Sequence, residues 1–149
     1  MTPEEIYNKL PFSDPYLFVD EIYHVDENGA SGSFRFSENL DFYRGHFTEF
    51  SVTPGAILVE VMAQIGGACL GIYLSSLEAT PEDQQKATLA TSYQVEFFKP
   101  VFPNEKVTVT SEKIYFRFGK LKYKATMTNE REEKVCEGIF TGMFKSLTR

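Results

Sequence analysis

AILVEVMAQIGGACLGIYL, Ala56 to Leu74, is a run of nineteen residues broken by only two strongly polar side chains, Glu60 and Gln64. These stand four apart and so share one face of a helix. Their neighbours Val59, Val61, Met62, Ala63, Ile65, Gly66, Gly67, Ala68, Cys69 and Leu70 are apolar or small, and a helix that is apolar all round is a buried one. The run predicts a core helix carrying a carboxylate and an amide where burial is costly unless something needs them. A desolvated carboxylic acid suits proton donation near neutral pH; a structural Glu60, bonded to Gln64 and to loop backbone, is the competing reading. The run is nearly long enough to span a bilayer. However, Glu60 falls inside it, Gly66, Gly67 and Gly71 weaken a lone helix, and no Lys or Arg cluster flanks it. A core helix wrapped by a sheet explains it better.

Immediately upstream, Thr53-Pro54-Gly55 predicts the helix start, with Thr53 as N-cap and Pro54 at the first helical position. The N–H of Gly55 is then one of the unpaired donors of a helix N-terminus, able to polarise a carbonyl or hold an oxyanion; ordinary helix initiation would use the same residues. Before it lies a long loop, Ser37 to Ser51, rich in aromatics, and a loop of that length is usually functional. It contains His46, in Arg44-Gly45-His46-Phe47, fourteen residues ahead of Glu60. Imidazole is the usual general base near pH 7, against the alternative of a structural histidine. His24, at a hairpin end, is expected to face solvent with no role.

Further out, Thr2-Pro3-Glu4-Glu5 opens a short amphipathic helix that Leu10-Pro11 closes. Tyr16–Val25 and Ser31–Phe36 read as a strand pair joined through Asn28-Gly29. After the helix, Leu77–Lys86 is a polar connector, and strands are expected over about 87–98, 105–117, 121–128 and 134–145. Lys120, Lys122 and Lys124 alternate with Leu121, Tyr123 and Ala125, a strand with one wet face. One central helix with about six strands is an α+β architecture: a single antiparallel sheet wrapped around the helix.

The 149 residues, 42% apolar and 15% aromatic, fit a single globular domain spanning 1–149. A net charge of −6 argues against a nucleic-acid partner, which calls for a basic face. Cys69 and Cys136 have no metal-ligand spacing, and Cys69 is expected to be a buried reduced thiol. The N-terminal sequence lacks signal-peptide character. Together these predict a cytoplasmic protein with no membrane partner. No phosphate loop, nucleophile elbow or metal cluster competes with His46 and Glu60.

The stretch from Tyr43 to Gln64, YRGHFTEFSVTPGAILVEVMAQ, closely resembles the (3R)-hydroxyacyl-acyl-carrier-protein dehydratases of bacterial fatty acid synthesis, whose signature is GHF, then PVMPG, then a helix with EAMAQ. Leu10-Pro11 through Asp20 is similar to that family's LPHRYPFLLVD, and Phe97-Phe98-Lys99-Pro100-Val101 with Pro103 to its FRKPVxPGD. The resemblance implies a hotdog fold, pairing as a double hotdog in a homodimer or a trimer of dimers, with no metal or cofactor. It implies that His46 and Glu60 are the catalytic pair, with Glu60 supplied by the partner subunit. Gly55 would bind the thioester carbonyl and Gln64 would steady Glu60 or a water. Val52, Pro54 and Phe47 would join Gly55 and Gln64 in binding substrate, a 3-hydroxyacyl chain carried on acyl carrier protein. Glu rather than Asp at 60 favours the plain dehydratase branch. The chain also departs from the pattern: Phe12-Ser13-Asp14 replaces basic residues of LPHRYP, leaving Arg44, Lys99, Arg117, Lys120, Lys122 and Lys124 as candidates for docking an acidic carrier. A specialised acyl chain or pathway is expected from these changes. The alternatives on the same fold are a thioesterase, a CoA-thioester hydratase and a non-catalytic acyl-binding subunit.

Overall fold

Capping opens the chain as the sequence predicts. In the computed structural model, which describes residues 1–78 and 86–146, helix α1 runs Pro3–Asn8 behind a complete capping box between Thr2 and Glu5. Strand β1, Glu21–Asp26, pairs antiparallel with β2, Gly29–Arg35. The first strand starts later than the expected Tyr16, because residues 16–18 bond to a side chain of the central helix and not to a ladder. The hairpin turn is Glu27-Asn28, not Asn28-Gly29. Gly29 already pairs with Asp26, and Asp26 Oδ1 closes the turn by accepting the N–H groups of Asn28 and Gly29.

The central helix spans Gly55–Ser76 in three pieces: α-helical Gly55–Met62, a π-helical stretch Ala63–Ala68, and α-helical Cys69–Ser76. The widened stretch lies against the sheet at two glycines. A Cβ at Gly67 would stand 2.3 Å from the Tyr123 hydroxyl, and one at Gly66 would stand 3.1 Å from Ser111 Cβ. Ser111 Oγ in turn donates to the Gly66 carbonyl at 2.9 Å. The helix is long and apolar enough to cross a membrane, but 72% of that window is buried inside the protein, as befits a core helix.

Strands β3 (Lys86–Phe97), β4 (Lys106–Arg117), β5 (Lys120–Thr128) and β6 (Lys134–Ser146) follow. Their bounds lie within one residue of the sequence expectation. The polar connector expected over 77–86 falls mostly on 79–85, outside the described residues. All six strands form one antiparallel sheet in the order β1-β2-β4-β5-β6-β3. Its concave face closes on the helix through Val107, Val109, Leu121, Tyr123, Ala125, Met127 and Phe140, packed with Val61, Met62, Ile65, Cys69 and Leu70. The alternation along β5 is realised: Leu121, Tyr123 and Ala125 are buried and Lys120 and Lys124 exposed. Cys69 and Cys136 are both buried free thiols, and burial pushes each up to about 12, so they stay protonated and inert.

Candidate active site

The loop before the helix is tied down by its own main chain. Tyr43 is buried within a 3-10 turn, Asp41–Arg44, and its hydroxyl shares a hydrogen bond with Thr53 Oγ1 at 2.5 Å. Thr53 is therefore not the N-cap that the sequence suggests. Its side chain is spent on Tyr43, its N–H donates to the Val101 carbonyl at 2.9 Å, and Pro54 occupies the cap position without a side-chain cap. Gly55 is the first helical residue, and among the described residues no acceptor bonds its N–H. A Cβ there would press on the Phe97 ring at 3.3 Å, so the bare glycine keeps the approach to this donor open.

His46 sits in this loop, half-buried. Its N–H donates to the Phe42 carbonyl at 3.1 Å and its carbonyl accepts from Val52 N–H at 3.0 Å. Nδ1 lies 2.8 Å from the Val52 carbonyl. A carbonyl can only accept, so Nδ1 carries the proton, and Nε2, with no hydrogen-bond partner among the described residues, is the nitrogen left to accept one. Phe47, half-exposed, stacks on the imidazole with centroids 4.1 Å apart at 25°. Of the residues predicted to bind substrate, Val52 contributes its carbonyl to His46. Pro54 contributes its carbonyl to the first helical turn, accepting from Ile57 and Leu58.

Glu60 is only half-buried, not sunk in the core as the apolar run suggests. It points from the rim of the helix, and the fully buried neighbour is Gln64 (0% exposed). The Gln64 amide makes three hydrogen bonds. Oε1 accepts from Phe18 N–H at 2.8 Å, and Nε2 donates to the Tyr16 carbonyl and to Glu60 Oε2, both at 2.9 Å. This pattern allows one amide orientation only, because a backbone N–H, a carbonyl and a carboxylate fix which end donates. The Glu60 charge is felt by two tyrosines, Tyr16 from the segment before β1 and Tyr123 from β5. Burial first, then the Glu60 charge, raise the pKa of each phenol. Neither was singled out for the site from sequence. The inward position of Tyr123 is readable from the β5 alternation, whereas nothing local marks Tyr16. Among the described residues no hydrogen bond joins His46 to Glu60 within the chain; they belong to separate networks.

Of the candidate docking cations, Lys99 is paired with Glu133 at 2.9 Å, Arg44 with Asp41 at 3.4 Å and Lys124 with Glu137 at 4.0 Å. Arg117 stacks over the Tyr115 ring beside the β4–β5 turn, where Phe118 and Gly119 both adopt positive φ and Phe118 is 95% exposed.

This arrangement joins a fixed-tautomer base, a carboxyl held by an amide and an open helix-terminal donor. The FabA-like domain family matches residues 10–136. The chain belongs to the FabA-like family. Similar members include the 3-hydroxyacyl-[acyl-carrier-protein] dehydratase FabZ of Acinetobacter baylyi, 32% identical over 128 residues that cover 86% of this chain and 84% of that one. The Bacillus thuringiensis protein of the same name is 32% identical over 141 residues, 93% of this chain and 92% of that one. Among solved structures, a chain of the dehydratase heterocomplex ApeI:P from Xenorhabdus doucetiae superposes with a TM-score of 0.77 at 12% identity, over 97% of this chain and 92% of that one. A hypothetical thioesterase with coenzyme A from Streptococcus pneumoniae superposes with a TM-score of 0.67 at 13% identity, over 99% of this chain and all of that one. At such identities these two speak for the fold alone, and that fold is the hotdog.

Proposed function

We propose that this FabA-like protein dehydrates (3R)-hydroxyacyl thioesters of acyl carrier protein to trans-2-enoyl thioesters, in fatty acid or related acyl-chain biosynthesis. The observation that carries the reading is the His46 ring: its Nδ1–H is committed to the Val52 carbonyl, leaving Nε2 to take a proton. The names of the curated relatives agree with it. The thioester carbonyl is polarised by Gly55 N–H at the helix terminus, which acidifies C2. His46 Nε2 takes the C2 proton. The electron pair left behind forms the C2=C3 bond, the C3–O bond breaks, and Glu60 delivers its proton to the departing hydroxyl, which leaves as water. Gln64 holds Glu60 in place. Phe47, Val52 and Pro54 line the acyl approach. No step calls for a metal or a cofactor.

The half-exposed Glu60 and its separation from the His46 network support a site completed by a second copy, with the partner subunit supplying the carboxyl. The free edge of β3 suits that pairing, since Leu89, Tyr93 and Phe97 on it are about half exposed and an unpaired apolar edge invites another strand. A homodimer or a trimer of such dimers follows, each chain one catalytic domain working in the cytoplasm. Arg117, Lys120 and Lys122, with no acidic partner among the described residues, are the cations best placed to meet an acidic carrier.

The test is turnover of a (3R)-hydroxyacyl thioester on carrier protein and on CoA, following enoyl absorbance and free thiol together, with His46→Ala and Glu60→Gln alongside. Enoyl product that both substitutions abolish is expected. Thiol release without enoyl product would identify a thioesterase, and acyl binding without either product a non-catalytic subunit. A Tyr93→Asp monomer that still turned over would overturn the shared site.

A further inference from the structure

Three aromatic rings cross the helix-facing side of the sheet as one ladder. Tyr123 on β5, Phe140 on β6 and Tyr93 on β3 stand directly opposite one another in the strand register. Phe140 stacks on Tyr123 with centroids 5.2 Å apart at 7°, and on Tyr93 at 5.7 Å and 27°. Tyr123 and Phe140 are buried, whereas Tyr93 is 56% exposed. Beyond β3 the sheet has no further strand among the described residues, so the last rung has an open flank where the inner rungs meet rings. The buried group Phe18, Phe34 and Phe36 is built differently: its rings meet edge-to-face at 78° and 88°, which closes a core and leaves no parallel face to extend. Both ends of the ladder reach the candidate site. Tyr123 packs on the helix at Gly67, one turn beyond the Gln64 that holds Glu60. Tyr93, Val95 and Phe97 alternate onto the same face of β3, since its one register shift lies earlier, between Ala90 and Ser92. The Phe97 ring stands against Gly55, the helix-terminal donor, and Tyr93 lies about 13 Å further along the strand.

We propose that Tyr93 sets the substrate class: its open flank takes the flat, conjugated part of an acyl chain as the next rung of the ladder, so the preferred substrate carries a polyene or aryl system beyond C3. The inference rests on the dehydratase reading. A thioester whose carbonyl meets Gly55 N–H starts at Phe97, and its distal carbons run toward Tyr93. A saturated chain would gain only apolar contact there, which aliphatic side chains supply as well. A planar π system adds offset stacking on a ring already held parallel to two others. The same edge is where a second copy is proposed, which makes this rung part of the wall of a shared site.

Two (3R)-hydroxyacyl thioesters of one carbon skeleton test this, one with a phenyl-capped diene beyond C3 and one fully saturated. Tyr93→Leu keeps an apolar side chain on β3 and removes the ring. Relative to wild type it is expected to lower kcat/KM for the conjugated chain by about three- to tenfold, and for the saturated chain by less than about twofold. Comparing each chain with itself cancels the intrinsic ease of dehydrating an allylic alcohol. The loss is expected in KM, because the ring lies far from the reacting carbons and binds ground and transition states alike. Tyr93→Phe keeps the ring and is expected to match wild type. Equal losses on both chains, a loss in kcat alone, or Tyr93→Phe behaving as Tyr93→Leu would each overturn the assignment. So would a dimer that dissociates in Tyr93→Leu, seen by sedimentation, with the chain preference unchanged; the ring then stacks on the second copy. Calorimetric binding of the matching pantetheine thioethers needs no turnover, so it separates the two readings. A wild type that makes no enoyl product overturns the dehydratase reading; there a preference for the conjugated thioether that shrinks in Tyr93→Leu still upholds the aromatic wall, and one that does not shrink removes it.

Discussion

His46 and Glu60 are anchored by opposite means. The histidine is held by main chain: its N–H, carbonyl and Nδ1 all bond to backbone atoms of its own loop, at Phe42 and Val52. The glutamate is held by side chain, through one buried amide that also fastens the segment before β1 to the helix. Backbone anchors survive substitution of the residues that supply them; a side-chain anchor does not. The base is therefore built to tolerate change around it, while the acid depends on Gln64 and its neighbours.

The comparison breaks most visibly at the reacting groups. His46→Ala and Glu60→Gln are each expected to lower kcat by about 10²- to 10⁴-fold, the range of a positioned acid or base, with folding unaffected; enoyl absorbance and a denaturation midpoint read both. Equal residual activity in the two variants and in their combination would show that they act as one unit.

Next comes the tether. Gln64→Leu leaves the Phe18 N–H and the Tyr16 carbonyl without partners and frees Glu60, and is expected to cost about 2–4 kcal/mol of stability. Val52→Ala keeps the carbonyl on His46 and is expected to cost about 1 kcal/mol, from lost side-chain burial. Urea unfolding of the two variants measures the contrast; similar losses would mean that side-chain and main-chain anchors count alike.

Gly55→Ala sharpens the view of the donor between the two anchors. Its Cβ would meet the Phe97 ring at 3.3 Å, a contact that a half-exposed ring relieves by moving. Stability is expected to change by less than about 1 kcal/mol, since only a movable neighbour is crowded. Turnover falls several-fold, because the shifted ring crowds the helix-terminal N–H.

The smallest effect lies away from the site, at the turn after β5. Hydrogen bonds from Lys99, then Arg131, then Asn129, hold Glu133 down at about 2 from an ordinary 4.5. A depressed carboxylate contributes stability above its unfolded pKa and loses it as pH falls through the folded one. The gap between wild type and Glu133→Gln should therefore be present above about 4.5 and close as pH drops toward 2; a gap that persisted at pH 2 would exclude this cause. Its position at the surface keeps the effect small.

Sequence by itself determined whatever depends on near neighbours. The helix start at Thr2-Pro3-Glu4-Glu5, the apolar helix and the period-2 face of β5 are all set by residues within a few positions of one another, and each is read correctly from its own segment. The motifs around His46 and Glu60 were legible for the same reason, being contiguous. What depends on distant partners was decided by tertiary structure. Thr53 abandons its cap because Tyr43 reaches it across the loop. The helix widens at Ala63–Ala68, where two glycines let Tyr123 and Ser111 in. Gln64 and not Glu60 is the buried polar group, because residues 16–18, 46 to 48 positions away, close over the amide and leave the carboxyl at the rim. No local pattern encodes such a contact: hydrogen-bond partners across that separation exist only once the sheet has wrapped the helix, and it is this closure that sets the Tyr16 carbonyl and Glu60 on one amide.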